Sequence, residues 1–292
     1  MEFVMENQYL KATVTTWGAQ LKSVIRKSDG VEHMWRADPA LWDYHAPTMF
    51  PYCDRVPDST IVVDGKSYVA PCHGFAQGME RQVVSHSDTC VVLELTDSPE
   101  TLAQWPFRFR LTSTFTLEND IIRHTLTVEN RDSREMPFGI GFHPGFALPF
   151  DDKHTYADYE LRFSSLETPL CIGFPNGRTG GRLYTLGTNI RSLPIDGTLF
   201  RGPSMCMTNL ASKYLSLYEK DTGRRVTCDI QGFPYCLVWN RGGDDPQFVC
   251  IEPWHSIPNP IDNSNDWSEK QAAEILAPGQ HWSTTLSMEF AR

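Results

Sequence analysis

An all-β fold, built as a large antiparallel β-sandwich with short helices, is predicted for this 292-residue chain by three observations. Apolar residues recur at every second position, hairpin turn residues separate the alternating runs, and no change of composition divides the chain. The alternation is sharpest at Phe107, Phe109, Leu111, Ser113, Phe115 and Leu117, which are followed by the turn Glu118-Asn119-Asp120 and a return through Ile122, His124, Leu126 and Val128. Successive strand side chains point to opposite faces, so this pattern specifies a hairpin with one buried face.

The remaining elements follow in order. Strands are expected at Leu10–Thr15 and Leu21–Arg26, at Ile61–Val63 across the Asp64-Gly65 turn to Tyr68, and at Cys90–Leu95. Asp-Gly is the residue pair that a two-residue hairpin turn favours, because it tolerates positive φ. Further strands are expected at Tyr214–Tyr218, across Asp221-Thr222-Gly223 to Val226–Ile230, at Cys236–Trp239, at Phe248–Glu252, where Pro253 is expected to stop the ladder, and at Trp282–Phe290. Short helices are expected at Pro39–Trp42, Thr101–Trp105 and Ser268–Ala273, and the stretch Pro169–Pro194, with Asn176-Gly177 and Gly180-Gly181, reads as the loopiest. Neither a fixed-period repeat nor a Gly/Ser-rich linker interrupts the chain, so a single domain over residues 1–292 is expected.

Composition narrows the function. With 40% hydrophobic and 12% aromatic residues the chain can bury a packed core. A formal net charge of −10 argues against a nucleic acid partner, which requires clustered Lys and Arg. Residues 1–10 show no basic stretch leading into an apolar one, and no apolar run is long enough to span a bilayer; a cytoplasmic protein with no membrane partner is expected. The eight cysteines stand singly without a C-x-x-C pair, which suits reduced thiols rather than a disulfide frame or zinc ribbon.

Three segments carry the chemistry: Cys72-His73-Gly74-Phe75, Gly141-Phe142-His143-Pro144-Gly145-Phe146 and Ile251-Glu252-Pro253-Trp254. They offer two imidazoles and a carboxylate beside aromatics, which is equipment for moving protons on a bound sugar. Alternation sets Glu252 on the opposite face from Ile251 and beside Trp254, where desolvation would raise its pKa. Trp239 and Trp254 offer indole faces on which sugar C–H groups pack. Structural readings compete at each position: a hydrogen-bonded structural histidine for His73 or His143, a sheet-edge carboxylate for Glu252, and a surface salt bridge to Asp54 or Asp58 for Arg55. A nucleophilic Cys72–His73 couple is disfavoured, because neighbours on a strand face opposite ways.

The order and spacing of these motifs, with Phe50-Pro51 through Arg55-Val56, His73-Gly74-Phe75-Ala76 and the late Leu276-Ala277-Pro278-Gly279, resemble the aldose 1-epimerase (galactose mutarotase) superfamily, and within it the LacX-like branch. The resemblance implies a galactose-mutarotase-type sandwich with a sugar in an open cleft. It implies Glu252 as general base at the anomeric hydroxyl, His143 as general acid at the ring oxygen and His73 as a second imidazole. It further implies Arg55 as a clamp on sugar hydroxyls. Trp239, Trp254, Phe142 and Gln77 are the other substrate-binding candidates. Neither cofactor nor metal is implied, and the partner is a small-molecule hexose or derivative. Two departures from the pattern stand out: Asp54 replaces a glycine before the clamp arginine, and Gln77 replaces an arginine after Ala76. Three alternatives remain open: a hexose phosphate as substrate, a non-catalytic sugar-binding protein of the same fold, and a metal site formed by His73, His143 and Glu252.

Overall fold

The computed structural model describes residues 1–174, 178–180, 183–202, 205–260 and 263–292. Two large antiparallel sheets dominate it. The nine-stranded sheet runs, edge to edge, Ile190–Pro194, Tyr159–Glu167, Tyr214–Glu219, Arg225–Asp229, His281–Ala291, Ile121–Asn130, Phe109–Glu118, Cys90–Thr96 and Gln82–Ser87. The second sheet has eight strands, ordered Tyr184–Thr185, Leu170–Ile172, Met205–Thr208, Tyr235–Trp239, Phe248–Trp254, Gly141–Phe142 and Thr48–Met49, with Gly145–Ala147 also pairing on Phe248–Trp254. A four-stranded sheet over Glu2–Glu32 and two two-stranded ribbons complete the architecture.

The expected hairpin is present, with Leu117 opposite Ile122 and Phe115 opposite His124 across a turn at Asn119-Asp120. Leu111, Phe115, Leu126 and Val128 of that sheet and Val238, Val249 and Ile251 of the other belong to one buried cluster, which is the core between the two sheets. Asp64 and Gly65 both take positive φ, 51° and 73°, as the tight turn between Thr60–Val63 and Lys66–Val69 requires. Among the described residues no helix is long and apolar enough to cross a membrane.

Several boundaries differ from expectation. Pro253 does not stop its ladder: the strand continues to Trp254, because the flanking residues Glu252 and Trp254 stay paired with Leu237 and Tyr235. Pro39–Trp42 is a single turn closed by Trp42 N–H donating to the Asp38 carbonyl at 2.8 Å. The helix expected at Thr101–Trp105 runs over Pro99–Leu102 instead, started by a capping box at Ser98 with Pro99 in the first turn. That expected at Ser268–Ala273 is a 3₁₀ turn, Trp267–Glu269. Cys72 and His73 lie in a turn rather than on a strand, so the alternation argument against their pairing does not apply. Of the expected loop, Asn176-Gly177 and Gly181 lie outside the described residues; around them are short strands at Leu170–Ile172, Tyr184–Thr185 and Ile190–Pro194.

Candidate active site

The eight-stranded sheet carries a cleft of about 820 Å³ on its outer face. Its floor comes from strand register. Gly141 lies opposite Trp254 and Gly145 opposite Cys250, which sets His143, midway between them, across from Glu252. The His143 Nε2 and Glu252 Oε2 atoms are 3.3 Å apart. On the neighbouring strand Leu237 pairs with Glu252 and Trp239 with Cys250, so the leucine and the indole flank the carboxylate in the cleft lining. Trp254, two residues beyond Glu252, lines the same face.

Glu252 is completely covered, and neither of its carboxylate oxygens has a hydrogen-bond partner among the described residues. An unpartnered buried carboxylate is costly, and such a group takes up a proton rather than remain charged. Burial, reinforced by the nearby Asp54 carboxyl, pushes its pKa well above the usual carboxylate range, a rise that the neighbouring Trp254 indole, which forms no hydrogen bond with it, reduces without reversing. His143 is 5% exposed, with Nδ1 unpartnered. Burial and then the neighbouring His73 hold its pKa well below the ordinary histidine value. Desolvation therefore drives both members of the pair toward their neutral forms.

His143 is held by rings. Trp42 stacks on it with centroids 4.8 Å apart and planes 26° from parallel, Trp239 meets it edge-on at 5.6 Å, and His73 meets it edge-on at 5.3 Å. Gly145 makes room for the stacking: a Cβ there would come within 2.7 Å of the Trp42 ring.

His73 arrives on a turn in which His73 and Gly74 both take positive φ, 62° and 74°. The turn is tied down reciprocally: His73 N–H donates to the Asp54 carbonyl at 3.0 Å, and Asp54 N–H donates to His73 Nδ1 at 3.0 Å. An Nδ1 that accepts from a backbone amide cannot carry a proton, so the ring is the Nε2–H tautomer. Burial and the Arg55 charge lower the His73 pKa to about 4, in keeping with a neutral ring that serves as a fixed donor. Gln77 lines the cleft, but its side-chain amide donates to the Cys72 carbonyl at 2.7 Å and so closes the turn. Burial and the Asp54 charge push the Cys72 thiol up to about 11, so it is protonated and unsuited to nucleophilic attack.

Arg55 is exposed at the cleft wall and makes no salt bridge among the described residues, which removes the surface-pair reading with Asp54 or Asp58. Asp54 sits beside it in the lining, its carboxyl pKa raised by burial. Of the residues singled out in the sequence, His73, His143, Glu252, Arg55, Gln77, Trp239 and Trp254 all line this one cleft. Phe142 does not. It points through the sheet into the core, against His124 at 5.1 Å and Phe233 at 5.9 Å, because it alternates with His143 along its strand.

The sequence reading did not identify Trp42, Tyr44 and Phe174, which also line the cleft. Nothing local marks them; Trp42 gains its place only through the close approach to Gly145. The metal set considered from sequence also changes membership: the ligand atoms that cluster are those of His143, Cys250 and Glu252, without His73.

Comparison with known proteins shows the family of the chain and relatives of its fold. The family model described as aldose 1-epimerase matches residues 1–289. The chromosomal protein LacX of Lactococcus lactis subsp. lactis is 27% identical over 289 residues, covering 94% of this chain and 95% of LacX. A galactose mutarotase-related enzyme from Lactobacillus acidophilus superposes with a TM-score of 0.95 at 26% identity, covering 100% of this chain and 98% of the other. A galactose mutarotase-like protein from Lactobacillus casei superposes with a TM-score of 0.91 at 28% identity, with all of both chains covered.

Proposed function

The chain belongs to the aldose 1-epimerase family, and from that premise we propose that it interconverts the α and β anomers of a free hexose by general acid–base ring opening in this cleft. One observation carries the reading: a fully buried carboxylate with no hydrogen-bond partner faces an imidazole at 3.3 Å on a cleft floor. A structural role would have satisfied that carboxylate.

The anomeric carbon bears two oxygens, the hydroxyl O1 and the ring O5. The Glu252 carboxylate takes the O1 proton while His143 Nε2–H delivers a proton to O5; the C1–O5 bond breaks and a carbonyl forms at C1. Rotation about C1–C2 presents the other carbonyl face, and ring closure returns both protons. Each half-reaction takes one proton and gives one, so the pair needs to hold one proton in total. The assigned roles need that proton on His143, and the couple, neutral at rest with the proton on Glu252, reaches this state by proton transfer across the 3.3 Å contact. Glu252 is covered, so sugar binding requires its carboxylate to turn toward the cleft; catalytic hydrogen bonds commonly reach their working geometry only in the complex.

The surrounding groups divide the remaining work. His73 Nε2–H, fixed by its tautomer, donates to a sugar oxygen near the acid. Arg55 supplies a guanidinium fork to hydroxyls at the cleft wall, and Trp239 and Trp254 pack against C–H faces. Proton transfer needs no redox or phosphate-carrying cofactor. Asp54 and Asp58 beside Arg55 in the lining favour an uncharged sugar over a phosphorylated one, by like-charge repulsion.

The test is an NMR anomer-exchange screen of the protein against free hexoses, pentoses and their 6-phosphates. The reading expects accelerated exchange for at least one free hexose, and slower exchange for its 6-phosphate. No acceleration for any aldose would overturn it in favour of a non-catalytic sugar-binding protein.

A further inference from the structure

We propose that His143, Cys250 and Glu252 form a binding site for a thiophilic divalent cation of the Zn²⁺ class at the floor of the cleft, and that the bound ion holds the protein in an inactive state. One ligand atom from each of the three lies within 4.8 Å of the others, and all three residues are buried. Cys250 and Glu252 are two apart on one strand and so share a face, while His143 stands across from them.

Charge and spacing both fit. A thiolate and a carboxylate cancel the two charges of the cation around a neutral imidazole, so the loaded site carries no net charge among ligands that are themselves buried. Both Glu252 oxygens are buried without hydrogen-bond partners among the described residues, so the carboxylate is not engaged elsewhere. Tetrahedral zinc with bonds of about 2.0–2.3 Å sets its ligands roughly 3.3–3.8 Å apart. The His143–Glu252 separation of 3.3 Å already meets that spacing, and the sulfur needs to draw in by no more than about 1 Å. Loading releases two protons to solvent, one from the Cys250 thiol and one from the Glu252 carboxyl, as the metal–sulfur and metal–oxygen bonds form. The fourth position faces the cleft, where water or a sugar hydroxyl completes the shell. A sulfur ligand selects zinc-like ions over magnesium or calcium.

A second cluster of the same composition class, Asp151, His154 and Glu219, does not qualify, because the Arg224 guanidinium already bonds both carboxylates. The inhibitory consequence, though not the binding, rests on the acid–base reading above, since the ion would occupy the pair that moves the protons.

The experiment titrates the full chain, stripped with a chelator, with Co²⁺ as the optical probe, and separately follows anomer exchange with Zn²⁺. The expected result is one equivalent bound, a thiolate-to-cobalt charge-transfer band, and loss of exchange that chelator restores. Cys250→Ala should lose the band, bind at least tenfold more weakly, and keep its exchange in Zn²⁺ that silences the parent. Should that variant not fold, His143→Asn is read for cobalt binding alone, which should weaken at least tenfold. Absence of the band in the parent protein, or a band and affinity unchanged in the variants, overturns the site. The band is read without sugar, so a protein that shows it but exchanges no anomers keeps the metal site and loses the catalytic reading.

Discussion

Two glutamates of this chain are fully buried, each beside a histidine, and their surroundings are opposite. Glu219, on the nine-stranded sheet, accepts from Arg224 Nε at 2.6 Å and Nη2 at 2.8 Å, and from the Tyr159 and Thr222 hydroxyls. Asp151 accepts from His154 at 2.7 Å and from Arg224 at 2.5 Å, which closes the network. Burial pushes Glu219 up, but these donors outweigh it and hold its pKa below the usual range. Glu252 in the cleft has no such donors, and its pKa is pushed the other way. The same residue type at the same burial is an anchor where its lone pairs are met and a reactive group where they are not.

Replacement at the two sites should separate these roles. The largest effect expected is His143→Asn, which should slow anomer exchange by about 10²–10⁴-fold, the usual cost of losing a general acid, while leaving the melting temperature nearly unchanged. Polarimetry paired with thermal melting checks it, and full activity would move the acid to another group. Arg224→Ala should do the reverse: by leaving Glu219 buried and uncompensated it should lose about 3–5 kcal/mol of stability, with normal exchange per folded molecule. A stability loss under 1 kcal/mol in denaturant unfolding would show that the network is not the anchor described.

The pH dependence sharpens the contrast. Asp151 and Glu219 have lowered folded values, so their contribution is fully present above the ordinary carboxylate range and is lost as pH falls from there through their lower folded values. His154 is raised by its hydrogen bond to Asp151, so its contribution is present below the ordinary histidine value and is lost as pH rises through its folded value. His154→Gln should therefore flatten the stability profile on its alkaline side, read by melting across pH 5 to 9. The smallest effect expected is Phe142→Leu, which should cost about 1 kcal/mol of packing and leave KM unchanged, since the ring lies in the core and not the cleft. A raised KM would return Phe142 to the substrate side.

The long hairpins were legible because ten-residue strands such as Phe109–Glu118 repeat the period-two pattern often enough to declare it, and because Asp64-Gly65 can enter the left-handed region cheaply. The cleft sheet was less so. Thr48–Met49, Gly141–Phe142 and Gly145–Ala147 are two or three residues long, too short to display any period, and are strands only because Phe248–Trp254 or each other offers a partner. His73, His143 and Glu252 could be named from their motifs. Their meeting depends on the register that faces Gly145 with Cys250, which is a tertiary fact. Trp42 was invisible for the same reason: its stacking on His143 needs the missing side chain of a glycine 103 positions away. Pro253 misled because the rule that proline ends a strand is a statement about one lost N–H, and the pairs on either side of it outweighed that loss here.

The most direct measurement compares the two buried glutamates side by side: polarimetric decay of fresh α-glucose or α-galactose in the presence of Glu252→Gln and of Glu219→Gln, each with its melting temperature. The account predicts that Glu252→Gln loses the acceleration and melts no lower than the parent, because it removes an unpaired buried acid. It predicts that Glu219→Gln melts lower and keeps the acceleration. A Glu252→Gln protein that still speeds the decay at the parent rate would contradict the assignment of proton transfer to this pair.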